Sequence, residues 1–436
     1  MQEKKETALI DSERIAGAWA DFGERGRKIV EDFLERQGGD NAYQVADPVV
    51  IGKAFLEMGV KLMADPAKLA QAQANFWRDY SQLWQQTSRR MMGEDTDPVA
   101  EPEKGDRRFA DEAWSEQAVF NFIKQSYLLT SNWIRSTVKG VDGLDPETAR
   151  KVDFYSRQFV DAMAPTNFAL TNPKVLKATL DSGGENLLKG LDNLLSDLEK
   201  GKGRLSISMT DLDAFTLGEN VATTPGKVVF QNDLMELIQF APSTQTVYEK
   251  PLLIVPPWIN KYYVLDLKEK NSFIKWAVDR GHSVFIISWV NPDESLSGKT
   301  FDDYMFEGPL AALDAIEKAT GERAVDLVGY CIGGTLSACT LAYLAAKDDP
   351  ADHGRIASAT FLTTLIDFKN AGEIAVFIDD EQLALLQEHM DKKGYLEGAH
   401  MSAVFNLLRD QDLIWSFVVN NYLLGRDPLP FDLLYW

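Results

Sequence analysis

Two cysteines occur in the 436 residues, and one of them, Cys331, sits where it could act as a nucleophile. The run Gly329-Tyr330-Cys331-Ile332-Gly333 has the spacing of a Gly-x-Ser-x-Gly nucleophile elbow, with a thiol in place of the hydroxyl. Such an elbow holds its nucleophile in a strained backbone conformation at the tip of a strand-to-helix turn. Gly329 and Gly333 lack side chains, so strand and helix can approach each other there. A helix starting directly after the turn aims unpaired N–H groups and the positive end of its dipole at the thiol, a setting that favours an anionic sulfur. Ile332 then supplies a backbone N–H to an oxyanion. A second donor belongs on the loop after an earlier strand. PLLIVPPWINKYY offers Ile259 for that role and Asn260 as a substrate-pocket candidate, unless this is a plain turn. The chemistry of such a set is acyl transfer through a covalent thioester. The bland alternative for Cys331 is a buried, inert cysteine beside a glycine turn. Cys339 lies within the following helix, about 12 Å along its axis; it cannot pair with Cys331 and is expected in the core.

The elements that position Cys331 follow from the pattern around it. AVDLVGY reads as a strand and IGGTLSACTLAYLAA as a helix. From Gly226 onward, apolar β-rich runs (KVVF, MELIQF, PLLIVPP, SVFIISW, AVDLVGY, IASATFLTTLI) alternate with helical stretches. Several runs are continuously apolar, which fits strands buried on both faces of a mostly parallel sheet. Residues 226–436 are therefore expected to form an α/β-hydrolase-type domain. Residues 1–225 read as an all-helical domain. Asp65 with Pro66 and Asp145 with Pro146 open two of its helices as N-cap and first residue. Leu69, Phe76, Tyr80, Leu83 and Trp84 form one stripe, and Val152, Tyr155, Phe159 and Met163 another. TDPVAEPEKGDRR is expected to be an exposed connector, and EKGKGRLS to mark a boundary. The aromatic stripes serve either packing within a bundle or docking onto a partner.

Composition sets limits. A formal net charge of −21 argues against nucleic acid as partner, and an anionic substrate would need a local basic patch. No run approaches 18 apolar residues, so no membrane span is expected. The start has no secretory h-region, and two cysteines give no disulfide framework, which together suggest a reducing cytoplasm. No metal-ligand set and no cofactor motif is evident.

GYCIGG, PPWINKYY, SWVNPD, LTTLIDF and the close NNYLLGRDPLPFDLLYW resemble class I polyhydroxyalkanoate (poly-3-hydroxybutyrate) synthases, as does NFALTNPKVLKATLDSGGENLLKGLDNLL in the helical half. The resemblance implies polymerisation of (R)-3-hydroxyacyl-CoA, usually 3-hydroxybutyryl-CoA, with release of CoA. Cys331 would carry the growing polyester as a thioester. A histidine would deprotonate it, and an aspartate would assist attack by the monomer hydroxyl. It also implies a cap over about residues 367–436, a homodimer and association with polymer granules in the cytoplasm.

The activating partners are harder to find. Downstream of Cys331 the histidines are His353, expected in an exposed turn, His389 in a charged helix and His400 in a loop; none follows a late strand. In the family the aspartate and histidine lie further along than Trp436. The chain is accordingly expected to be a C-terminally truncated fragment, short of the last strands of its sheet and turning over little. Asp367 is a fallback acid. Two other functions share these features: a thioesterase or depolymerase with the same elbow and water as acceptor, and a non-catalytic granule-binding protein that works through its helical half.

Overall fold

The computed structural model describes residues 21–31, 45–259, 261–347, 349–350 and 352–435. They form two compact units: Met1–Met209 with Val376–Leu383 and Ser402–Pro428, and Thr210–Ala375 with Ala384–Met401 and Leu429–Trp436.

The first unit is helical, built on α1 (Pro48–Ala64), α2 (Pro66–Met91), α3 (Ala118–Lys139), α4 (Pro146–Ala162), α5 (Pro173–Ser182) and α6 (Glu185–Lys200). Four of these open in one way: Asp47, Asp65, Asp145 and Asn172 precede a proline, and each side chain accepts N–H groups of the first turn. Proline is at home there because its missing N–H would be unpaired anyway. Leu83, Phe109, Trp114, Leu128 and Leu129 are buried together, with Phe76 and Tyr80 packed against them.

Exposure divides the two stripes, and the expected connector needs correction. Trp84 is exposed on α2. On α4, Phe159 and Met163 are 57% and 53% exposed, while Val152, Ser156 and Val160 are buried. A polar residue, Ser156, shares the buried face with Val152 of the stripe, while the far end of the stripe is exposed. The connector is not exposed throughout: Ala100 joins the core, and the N–H groups of Val99 and Ala100 donate to Gln125 Oε1. Arg108 pairs with Asp106 and Asp161.

The second unit is α/β. A six-stranded sheet runs in the order β1-β2-β4-β3-β5-β6. Its strands are β1 (Gly226–Gln231), β2 (Met235–Phe240), β3 (Leu252–Val255), β4 (Val284–Trp289), β5 (Val325–Tyr330) and β6 (Ile356–Leu362). β1–β2 and β2–β4 pair antiparallel; β3–β4, β3–β5 and β5–β6 pair parallel. The continuous apolar runs of the inner strands are explained by their two faces. Leu253, Val255, Phe285, Ile287 and Leu327 pack on one side with Ala312, Leu313 and Ile316 of α7 (Ala311–Thr320) and Leu336 of α8 (Ile332–Lys347). Ile254, Val284, Ile286 and Val328 pack on the other with Ile274, Ala277 and Val278. Each buried branched side chain contributes roughly 1.5–3 kcal/mol, so β3, β4 and β5 form the rigid centre of the unit. The outer runs differ. Lys227, Val228 and Val229 of β1 and residues 357–361 of β6 are exposed at the two edges of the sheet, while Phe230 packs against the core.

Candidate active site

β5 ends at Tyr330 and α8 begins at Ile332, so Cys331 alone makes the turn between them. Its φ is +54°. An L-residue with a side chain adopts that conformation at a cost of about 1–3 kcal/mol, so the surrounding contacts must impose it. They do so through the backbone. The Cys331 N–H donates to the Leu362 carbonyl of β6 at 2.9 Å, and the Cys331 carbonyl accepts from Gly334 N at 2.9 Å and Thr335 N at 3.2 Å. Cys331 is exposed, which rules out a buried cysteine. The N–H groups of Ile332 and Gly333 belong to the first turn of α8, where no carbonyl one turn earlier in the helix can receive them.

The glycines around the turn are demanded by close approach. A Cβ on Gly329 would stand 2.5 Å from Gly334 Cα. One on Gly333 would collide with the carbonyls of Val255 and Pro256, and one on Gly334 with the Thr364 side chain. Gly334 was not singled out in the sequence; the GG pair is the signal that could have found it. Just past β6, Thr363 also has positive φ, +47°, directly after the carbonyl that holds Cys331. A β-branched residue in that region is a genuine outlier, so two strained residues meet at the turn.

The loop after β3 starts beside the elbow, since Val255 pairs in register with Gly329. Trp289 donates its indole N–H to Pro256 O at 2.8 Å, and the Trp258 ring lies 4.8 Å from Tyr304 and 5.9 Å from Trp289 between centroids. A Cβ on Gly308 would run into the Trp289 ring. These aromatic contacts fix the base of the loop. Ile259 is half-buried in a turn of that loop, and Asn260 lies outside the described residues. Burial, together with the neighbouring Cys331, pushes the Tyr330 phenol above its ordinary pKa.

Other candidates fall elsewhere. Cys339 is exposed, not in the core. α8 buries Gly333, Gly334, Leu336, Ser337, Thr340 and Leu344, and leaves Cys339 with Ala342 and Ala345 on its outer side. Because the helix is apolar nearly all round, hydrophobicity could not tell its faces apart. Asp367 caps its own short turn by accepting Lys369 N–H at 2.9 Å. His353 follows the far end of α8, a 16-residue helix about 24 Å long that begins at the elbow. His282 precedes β4, and its ring lies 5.0 Å from that of Tyr248 at the N-terminal ends of the parallel strands. His389 and His400 come together with Glu397, a meeting that the sequence reading missed although its spacing, H-x7-E-x2-H, was visible.

Comparison with known proteins adds an independent line. Residues 105–277 match the family described as poly-beta-hydroxybutyrate polymerase N-terminus. The chain is 52% identical over 374 residues to a poly(3-hydroxyalkanoate) polymerase of Methylorubrum extorquens, covering 86% of this chain and 61% of that one. It is 46% identical over 428 residues to a poly(3-hydroxyalkanoate) polymerase subunit of Rhizobium meliloti (strain 1021), covering 98% and 69%. With the corresponding subunit of Cupriavidus necator the identity is 40% over 384 residues, 87% and 62% of the two chains. The chain thus spans between three fifths and seven tenths of the length of these relatives. Among the described residues no helix is long and apolar enough to cross a membrane.

Proposed function

Because this chain belongs to the poly(3-hydroxyalkanoate) polymerase family, we propose that the protein it represents polymerises (R)-3-hydroxyacyl-CoA, with 3-hydroxybutyryl-CoA as the leading monomer and Cys331 as the acyl carrier. In this reading the unit with the sheet has an α/β-hydrolase-type fold. The Cys331 sulfur attacks the thioester carbonyl of the acyl-CoA. The carbon–sulfur bond to CoA breaks, CoA leaves as thiolate, and the acyl group is held as an enzyme thioester. The hydroxyl of a second acyl unit then attacks that thioester; its proton passes to a base, an ester bond forms and the Cys331 sulfur is released. The backbone N–H groups of Ile332 and of Ile259 receive the oxyanion of each tetrahedral intermediate. Asn260 contributes to the pocket, and no metal or cofactor takes part. The growing chain keeps the protein at the polymer granule in the cytoplasm, as a homodimer.

One observation carries this proposal: an exposed cysteine with φ of +54° standing alone between a buried strand and a helix N-terminus. A thiol suits thioester exchange because sulfur is both a strong nucleophile and a good leaving group. In the full-length protein, Cys331→Ala should lower CoA release from 3-hydroxybutyryl-CoA by about 10⁴-fold or more. Unchanged release would remove Cys331 from the mechanism.

A further inference from the structure

Histidine is scarce here, four in 436 residues, yet two of the four meet. His389 lies in the last turns of α9 (Asp380–Lys393), and His400 in the first turn of α10 (Gly398–Leu408). Gly394, with φ of +86°, helps the chain reverse between the helices. The two rings end with centroids 5.0 Å apart in an edge-to-face arrangement. Glu397 stands just before α10, and its carbonyl accepts the His400 N–H at 3.0 Å, which fixes the two residues one helical turn apart. One Glu397 oxygen engages Lys393; the other lies 3.9 Å from His389 Nε2. One ligand atom from each of the three residues falls within 4.8 Å of the others.

Two imidazole nitrogens and a carboxylate oxygen form a donor set suited to zinc, which takes such ligands at about 2.0–2.2 Å and accepts water in a fourth position. Donors around a tetrahedral ion at that distance are about 3.3 Å apart, so side-chain rotation within the cluster closes the remaining gap. An edge-to-face histidine pair could by itself fill a helix corner. Convergence of a third donor, with one carboxylate oxygen on Lys393 and the other turned to the imidazole, exceeds what filling requires. The geometry points to a divalent transition-metal site formed by His389, Glu397 and His400, with zinc as the best-matched ion. The site shares no residue with the elbow and sits on a segment whose Gly394 packs against Ser297 in the stretch following β4. Its effect is a clip that ties the end of α9 to the start of α10. It does not depend on the polymerase assignment.

The test uses tag-free protein carrying Cys331→Ala and Cys339→Ala, so that thiols do not bind the ion. Titration with zinc sulfate should give one ion per chain and raise the melting temperature. Adding His389→Asn and His400→Asn should weaken binding at least tenfold, and Glu397→Gln should weaken it less. Cobalt(II) added to the protein with its histidines intact should develop the visible bands of a low-coordinate nitrogen and oxygen site, a readout that holds even if the double histidine variant fails to fold. Substoichiometric uptake, affinity unchanged by the histidine substitutions, or a cobalt spectrum like that of the hydrated ion would each overturn the site.

Discussion

Cys331 is held in a conformation that its side chain disfavours, and three backbone hydrogen bonds keep it there. That strain is measurable apart from catalysis. Removing the Cβ should relieve it, whereas shortening the side chain to a methyl should not. Cys331→Gly is expected to be more stable than Cys331→Ala by about 1–2 kcal/mol in urea unfolding; equal midpoints would mean that the positive φ is not strained. Gly333 presents the opposite case. A methyl there meets two carbonyls at the end of β3, groups that cannot move without breaking the sheet. Gly333→Ala should therefore destabilise the protein by roughly 2 kcal/mol or more, read as a lower melting temperature, even though the change is chemically small.

At the scale of elements, four helices of the first unit are begun by short polar side chains, and close contacts join its parts. Asp145 accepts the N–H groups of Glu147 and Thr148 at 2.9 and 3.0 Å, and hydrogen bonding to Thr148 holds its carboxyl below the ordinary range. Asp145→Ala should cost about 1 kcal/mol, seen as a small fall in the urea midpoint. α6 packs against residues 418–423 at Gly190, whose Cβ would collide with the Tyr422 carbonyl. Beside that contact, Tyr422 donates its hydroxyl to Asp197 Oδ2 at 2.6 Å, and burial followed by Asp197 pushes its phenol far above the usual value. This contact links α6 to residues more than 200 positions away, which no local pattern announces.

For the whole molecule, stability should depend on pH through Asp410. Its carboxyl is buried and pushed up to about 6, first by burial and then by the neighbouring Asp161. The folded protein therefore holds this proton more tightly than the unfolded chain does. The group contributes stability at pH below about 4, loses it as pH rises through 6, and weighs against folding at neutral pH. Asp410→Asn should accordingly stabilise the protein at pH 8 by roughly 1–3 kcal/mol and have little effect at pH 4. Urea unfolding at the two pH values checks this; an equal effect at both would show that the charge of Asp410 does not set the trend.

The amino-acid order by itself determined the local features. Asp65-Pro66 and Asp145-Pro146 start helices wherever the rest of the chain goes, since a cap satisfies only its own first turn. Gly329 through Gly333 specify the turn at Cys331, because strand, turn and helix are contiguous there. The continuous runs of β3, β4 and β5 announced burial on both faces, because buried apolar residues alternate between two sides. Tertiary structure decided the rest. It made edges of β1 and β6, turned Cys339 outward and buried Ser156 in place of Phe159, since burial depends on which neighbour arrives and not on a residue's own polarity. It also brought Leu362 to Cys331. A hydrogen-bond partner is selected by where the chain returns in space, which residue type and spacing alone do not encode.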